Sequence, residues 1–193
     1  MKKEEFTLAH PEVAALIEEI ANEHKFKFPK VGIIPDKNPT AFTYGSGRYN
    51  ARIILTEGIF HFLNANEARA VVAHEMGHIV NRDFIVMMIA STLVQILYEI
   101  YAWLIRTKSK SNDDKKGGGV VKLIAIASYV LYIIGTYLLL YLSRTREYLA
   151  DTFSAKKVEP RHLAEALIKI AYGIVTAEDS DSAKRLLQST RHM

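Results

Sequence analysis

The sequence predicts an α+β fold: a mainly helical domain with a small antiparallel sheet, interrupted by a hairpin of two membrane-spanning helices. Three observations predict it. Two long apolar runs, residues 84–105 and 120–142, differ in composition from everything around them. Three short pieces rich in β-branched and aromatic residues lie close together between residues 31 and 56, each bounded by turn residues. Helical patterns occupy residues 10–24, 64–83 and 160–172. The expected division is one domain made of residues 1–83 and 143–193. Residues 84–142 are inserted into it as the hairpin, with a flexible polar connector over 106–119.

Composition narrows the chemistry. The chain of 193 residues is 49% hydrophobic, yet its mean hydropathy is only +0.03, so the apolar residues are concentrated rather than spread. It has no cysteine. Disulfides and thiolate metal sites are excluded, and a zinc site would have to use histidine and carboxylate. The net charge of +4 comes from charges of both signs along the whole chain. That pattern does not call for nucleic acid and is compatible with an anionic membrane surface. Residues 1–5 are polar, so the sequence does not open on a secretory signal.

Between His10 and His24, Val13, Leu16, Ile17 and Ile20 form an apolar stripe, with Glu12, Glu18, Glu19 and Glu23 opposite. Pro11 after His10 suits a helix start. His10 and His24 read as surface residues. The strand-like pieces are 31–34, 41–44 and 52–56, punctuated by Pro35, Asp36, Asn38, Pro39, Gly45, Gly47 and Asn50. A short helix over 58–63 leads onward, with His61 structural or exposed. Each apolar run has about the 20 residues needed to cross a 30 Å hydrocarbon core. Glu99 is the single charge in the first and Lys122 in the second. Tyr98, Tyr101 and Trp103 near one end of the first run, and Tyr137 and Tyr141 near the end of the second, suit interfacial aromatic placement. Residues 160–172 read as an amphipathic helix with Leu163, Leu167, Ile168 and Ile170 on its apolar side.

The chemistry centres on His74-Glu75-Met76-Gly77-His78. On a helix, residues four apart share a face, so two imidazoles can hold one Zn²⁺ while Glu75 reaches a water on the metal. Asn64 followed by Glu67 has the pattern of a helix cap with a returning acid. His-Glu-x-x-His arises by accident in roughly two in a hundred chains of this composition and length, so the rest of the site must carry the case. A catalytic zinc keeps three protein ligands. Without cysteine the third is His, Glu or Asp. Glu147 and Asp151 form a second pair four apart. Glu147 is the economical third ligand, and Asp151 then accepts a hydrogen bond from the far nitrogen of a ligating histidine. Two spans return the chain to the side it left, so both halves of the site can meet near one membrane face. Alone, Glu147 would read as a surface carboxylate.

These residues resemble a known family. His-Glu-Met-Gly-His with Ile79-Val80-Asn81-Arg82-Asp83, then a hydrophobic hairpin, then Ser143-Arg144-Thr145-Arg146-Glu147-Tyr148-Leu149-Ala150-Asp151 is similar to the HtpX-like membrane metallopeptidases of family M48. Asn38 to Gly45 resembles that family's Asn-Ala-Phe-x-x-Gly strand. The resemblance covers roughly residues 31–172. It implies a gluzincin fold with one Zn²⁺ per chain at His74, His78 and Glu147, and Glu75 as general base and acid. It also implies that Ala41, Phe42, Thr43, Tyr44 and Gly45 form the sheet edge on which an extended polypeptide substrate pairs. The implied setting is quality control of membrane proteins in the cell membrane. The resemblance stops short twice: many members have a transmembrane hairpin before the metal helix, and many carry a downstream His-Pro-Pro segment. Neither is matched here, so a shorter relative or a fragment is expected.

The expected reaction is therefore peptide hydrolysis by a membrane-anchored zinc endopeptidase acting on polypeptides, membrane proteins among them, in a lipid bilayer. No nucleic-acid partner is expected, and the sequence does not speak to oligomeric state. Two rivals stand: a processing protease for isoprenylated C-termini, and a zinc-stabilised membrane scaffold without turnover. Seven cations near the site (Arg69, Arg82, Arg144, Arg146, Lys156, Lys157, Arg161) face six on the connector side (Arg106, Lys108, Lys110, Lys115, Lys116, Lys122), so charge sets no orientation. The polar N-terminus and the resemblance point to a cytoplasmic site.

Overall fold

The computed structural model describes residues 3–45, 47–110 and 118–173. Its elements are α1 (Lys3–Ala9), α2 (Pro11–Glu23), β1 (Lys30–Ile34), β2 (Ala41–Tyr44), β3 (Arg52–Thr56), α3 (Glu57–Phe62), α4 (Ala65–Asn81), α5 (Asp83–Lys110) and α6 (Gly118–Lys157). Residues 160–173 are helical as well. The chain divides into two compact units, Met1–Phe84 with Tyr148–Met193, and Ile85–Glu147. The division falls within α6, which runs through it without a break.

In the first unit α2 buries Val13, Leu16, Ile17 and Ile20 and exposes its four glutamates, as its periodicity predicts. The polar opening residues conceal a further helix, α1, anchored by the fully buried Phe6. His10 is not a free surface residue: its ring stacks on Phe60 with centroids 3.6 Å apart. His24 is partly buried, 5.7 Å from the Phe153 ring, and His61 is exposed. The capping box at the start of α4 forms as read. Glu67 N donates to Asn64 Oδ1 at 3.0 Å, and Asn64 N to Glu67 Oε2 at 2.8 Å.

The sheet departs from the expectation of an antiparallel one. It has three strands in the order β1-β3-β2, with β2 antiparallel to β3 but β1 parallel to it. The reason lies in the loop 35–40, which crosses the end of β3 rather than turning β1 back on itself. Thr56 holds it there: its hydroxyl donates to Asn38 O at 2.6 Å, its N–H donates to Thr40 O, and it accepts from Thr40 N. Among the described residues, only β2 and β3, consecutive in sequence and antiparallel, pair as a hairpin. Gly45 begins its turn at φ +148°, where a Cβ would lie 2.9 Å from Asn50 O. One face of the sheet, with Val31, Ile53 and Leu55 buried, joins the core.

The helical stretch 160–173 buries Leu163 and Ala166, with Ile170 packed at the core's edge. Leu167 and Ile168, expected on the apolar side, are exposed. Lys169 from this stretch donates to both carboxylate oxygens of the buried Glu67, at 2.6 and 2.8 Å.

The second unit is a pair of helices long and apolar enough to cross a membrane. They run antiparallel: Val94 meets Gly135, Tyr98 meets Tyr132, and Tyr101 meets Tyr129. Tyr98 and Tyr101 meet Tyr132 and Tyr129 across the hairpin as tilted ring pairs, while Trp103, Tyr137 and Tyr141 are exposed. Glu99 accepts from Gln95 Nε2 at 2.9 Å within α5. Helix extends further into the expected connector than its composition suggested. α5 reaches Lys110 and α6 starts at Gly118, while the rest of the connector, residues 111–117, lies outside the described residues.

Candidate metal centre

Helix α4 carries His74, Glu75 and His78 past two neighbours. On one side lies α6, which Gly77 admits. A Cβ at Gly77 would sit 3.1 Å from Ala150 Cα and 3.2 Å from Phe153 Cβ, so the helices touch backbone to backbone. Ser154 Oγ donates to Ala70 O at 2.8 Å within the same contact and is buried. On the other side lies β2. The Thr43 hydroxyl donates to the Glu75 carboxylate, and the Arg48 guanidinium, from the hairpin turn, donates to Val80 O near the end of α4. A cation there suits the negative end of the helix dipole.

Each histidine is gripped from behind. His74 Nδ1 lies 2.9 Å from Asp151 Oδ1, and His78 Nδ1 lies 2.7 Å from Asp83 Oδ2. Beside a carboxylate, Nδ1 keeps the proton and donates it, so each Nε2 presents its lone pair forward. Those two Nε2 atoms converge to 3.2 Å. Two nitrogens bound tetrahedrally at about 2.0–2.1 Å from one zinc would be about 3.3 Å apart, so the pair fits that ion. Glu147, one turn before Asp151 on α6, completes the donor set: ligand atoms of His74, His78 and Glu147 all lie within 4.8 Å of one another. Two imidazoles and a carboxylate are a donor set suited to Zn²⁺.

Of the residues singled out in the sequence, His74, His78 and Glu147 come together, Asp151 meets His74, and Thr43 meets Glu75. Along β2, Phe42 and Tyr44 point to the exposed face of the sheet, away from Thr43. Asp83 was missed. It is 6% exposed, and it faces His78 because Arg82 ends α4 in the left-handed conformation, φ 57°, and α5 restarts at once. The signal available was an acid five residues after the second histidine. The Thr43 hydroxyl and Arg48 were likewise invisible as supports of α4.

A mainly helical unit with a helix-borne histidine pair, a third carboxylate from a distant helix and a strand alongside has the layout of a metallopeptidase. The profile of peptidase family M48 matches residues 7–190, and the chain belongs to that family. Within it the chain is HtpX-like. It is 37% identical over 168 residues to a protein named Protease HtpX homolog from Pyrococcus abyssi, covering 85% of this chain and 57% of that one. It is 39% identical over 168 residues to another of that name from Syntrophobacter fumaroxidans, covering 83% and 59%. The chain thus spans less than two thirds of the length of these relatives. Its fold is also similar to the crystal structure of S. mikatae Ste24p, with a TM-score of 0.56 at 21% identity, over 80% of this chain and 41% of that one.

Proposed function

We propose that this chain is a membrane-anchored zinc endopeptidase, or the catalytic part of one, working in the quality control of membrane proteins. One observation carries the reading: two histidines and Glu147 gather their ligand atoms within 4.8 Å while Glu75 is held next to a terminal sheet strand. His74, His78 and Glu147 would hold the ion. When bound, Zn²⁺ lowers the pKa of a water toward about 7 and polarises the scissile carbonyl.

The chain's own residues supply the rest. Glu75 takes the proton from the attacking water and delivers it to the leaving amine. Thr43 orients the Glu75 carboxylate through its hydroxyl, so the base is aimed before substrate arrives. Asp151 and Asp83 fix the histidine tautomers. An extended polypeptide adds to the open edge of β2, where main-chain hydrogen bonds give affinity with little demand on sequence. The apolar helices α5 and α6 anchor the chain in the bilayer, and the active site lies on the cytoplasmic side, as the family resemblance implies.

Replacing Glu75 by Gln tests the assignment. The zinc-loaded variant is expected to keep its metal and lose cleavage of a denatured membrane protein by at least a hundredfold. Cleavage at the wild-type rate removes Glu75 from the reaction. Metal retention without cleavage in the wild type itself favours a scaffold.

A further inference from the structure

We infer that the exposed face of the sheet selects substrates, favouring large apolar residues at two positions separated by one residue, opposite Phe42 and Tyr44. The inference rests on the proteolytic reading only in taking β2 as the strand to which a polypeptide adds.

β2 ends the sheet, and among the described residues no strand pairs with its outer edge. Its side chains alternate. Thr43 turns inward to Glu75, whereas Phe42 and Tyr44 turn outward and remain 43% and 42% exposed. Register continues these outward residues into two rows across the sheet. Phe42 pairs with Ile54, which pairs with Gly32; Tyr44 pairs with Arg52, which pairs with Lys30. The first row is apolar. Ile54 leans over Gly32, where a Cβ would lie 2.7 Å from its Cδ1, so the row has no cleft of its own to fill. In the second row the Arg52 guanidinium sits 5.6 Å from the Tyr44 ring centre and donates to its hydroxyl at 3.2 Å.

An added strand extends both rows by one residue, because the two-residue period of a strand puts alternate side chains on the same face whichever way the strand runs. The substrate residue level with Thr43 then faces the metal side. Its two neighbours lie on the outer face, one against Phe42 and one against Tyr44. Aromatic and apolar cross-strand pairs are favoured over small polar ones by about two- to fivefold each. Beside Arg52 and Lys30, a cationic residue opposite Tyr44 is disfavoured. A protein segment that normally lies in a core or a bilayer meets both requirements; a soluble linker does not.

The test uses the zinc-loaded chain in detergent and two fluorescein-labelled ten-residue peptides. They differ only in carrying Phe or Ser at two positions separated by one residue. Anisotropy is read with Glu75→Gln to prevent turnover, and kcat/KM with Glu75 intact. The expected result is about fourfold or greater preference for the Phe peptide in binding, largely abolished in a Phe42→Thr, Tyr44→Thr variant whose melting temperature is unchanged. Equal affinity for both peptides, no measurable binding of either, or a preference that survives in the variant overturns the inference. Cleavage of both peptides with equal kcat/KM also overturns it and leaves the proteolytic reading intact. Preferential binding without cleavage does the reverse.

Discussion

Asp83 and Asp151 stand behind His78 and His74 at 2.7 and 2.9 Å, and that symmetry sets what a single substitution does. Carboxylates in this position hold the ring and raise its basicity, and losing one costs about 10- to 100-fold in metal affinity. Asp83→Ala is expected to weaken zinc binding by that factor, measured by competition with a chromophoric chelator. Affinity equal to wild type would mean the bond orients nothing. The two aspartates were not equally legible. Asp151 lies four residues after Glu147 on one helix, so its place follows from helical period alone. Asp83 depends on a left-handed residue between two helices. Arginine does not advertise such a break as glycine or asparagine would. Thr43 could be read as part of an edge strand, but its hydroxyl's partner is 32 positions away and has no local signature.

At the level of elements, the site exists because α4 and α6 touch. Gly77 sits at that contact, within the metal-binding motif itself, and a Cβ there would meet Ala150 and Phe153 at 3.1–3.4 Å, so each added carbon must push its neighbours back. Gly77→Val is expected to lower stability by about 1–3 kcal/mol, the usual cost of overpacking, seen as a drop in melting temperature. Unchanged melting would show that the contact yields freely. The strands illustrate what pattern cannot give. Their existence and limits followed from turn residues and β-branching, but pairing direction did not. It was decided by Thr56, whose bonds to the 38–40 loop carry the chain across β3. The long helices were legible because apolar residues run all round them. Their ends were not, because the polar residues 106–110 continue the helix of α5.

Across the whole molecule, distant segments are tied to α4 by charge as well as packing. Burial pushes the Glu67 carboxyl up, but the hydrogen bonds from Lys169 and from the Asn64 backbone outweigh it and leave it below the ordinary value of 4.5. A carboxyl lowered by folding contributes stability that is present above its unfolded pKa and lost as pH falls through the folded one. Melting temperature should therefore fall on acidification below about pH 4.5. In Lys169→Met it should start lower at neutral pH and fall less steeply; an identical acid slope in the two proteins would show that the pair does not act on stability. The central claim is that one divalent ion is held by segments more than sixty residues apart, and metal content tests it most directly. Purified chain dialysed against a weak chelator should carry one zinc, and Glu147→Ala dialysed alongside it should carry far less. Full zinc occupancy in Glu147→Ala, at wild-type affinity, would contradict the account.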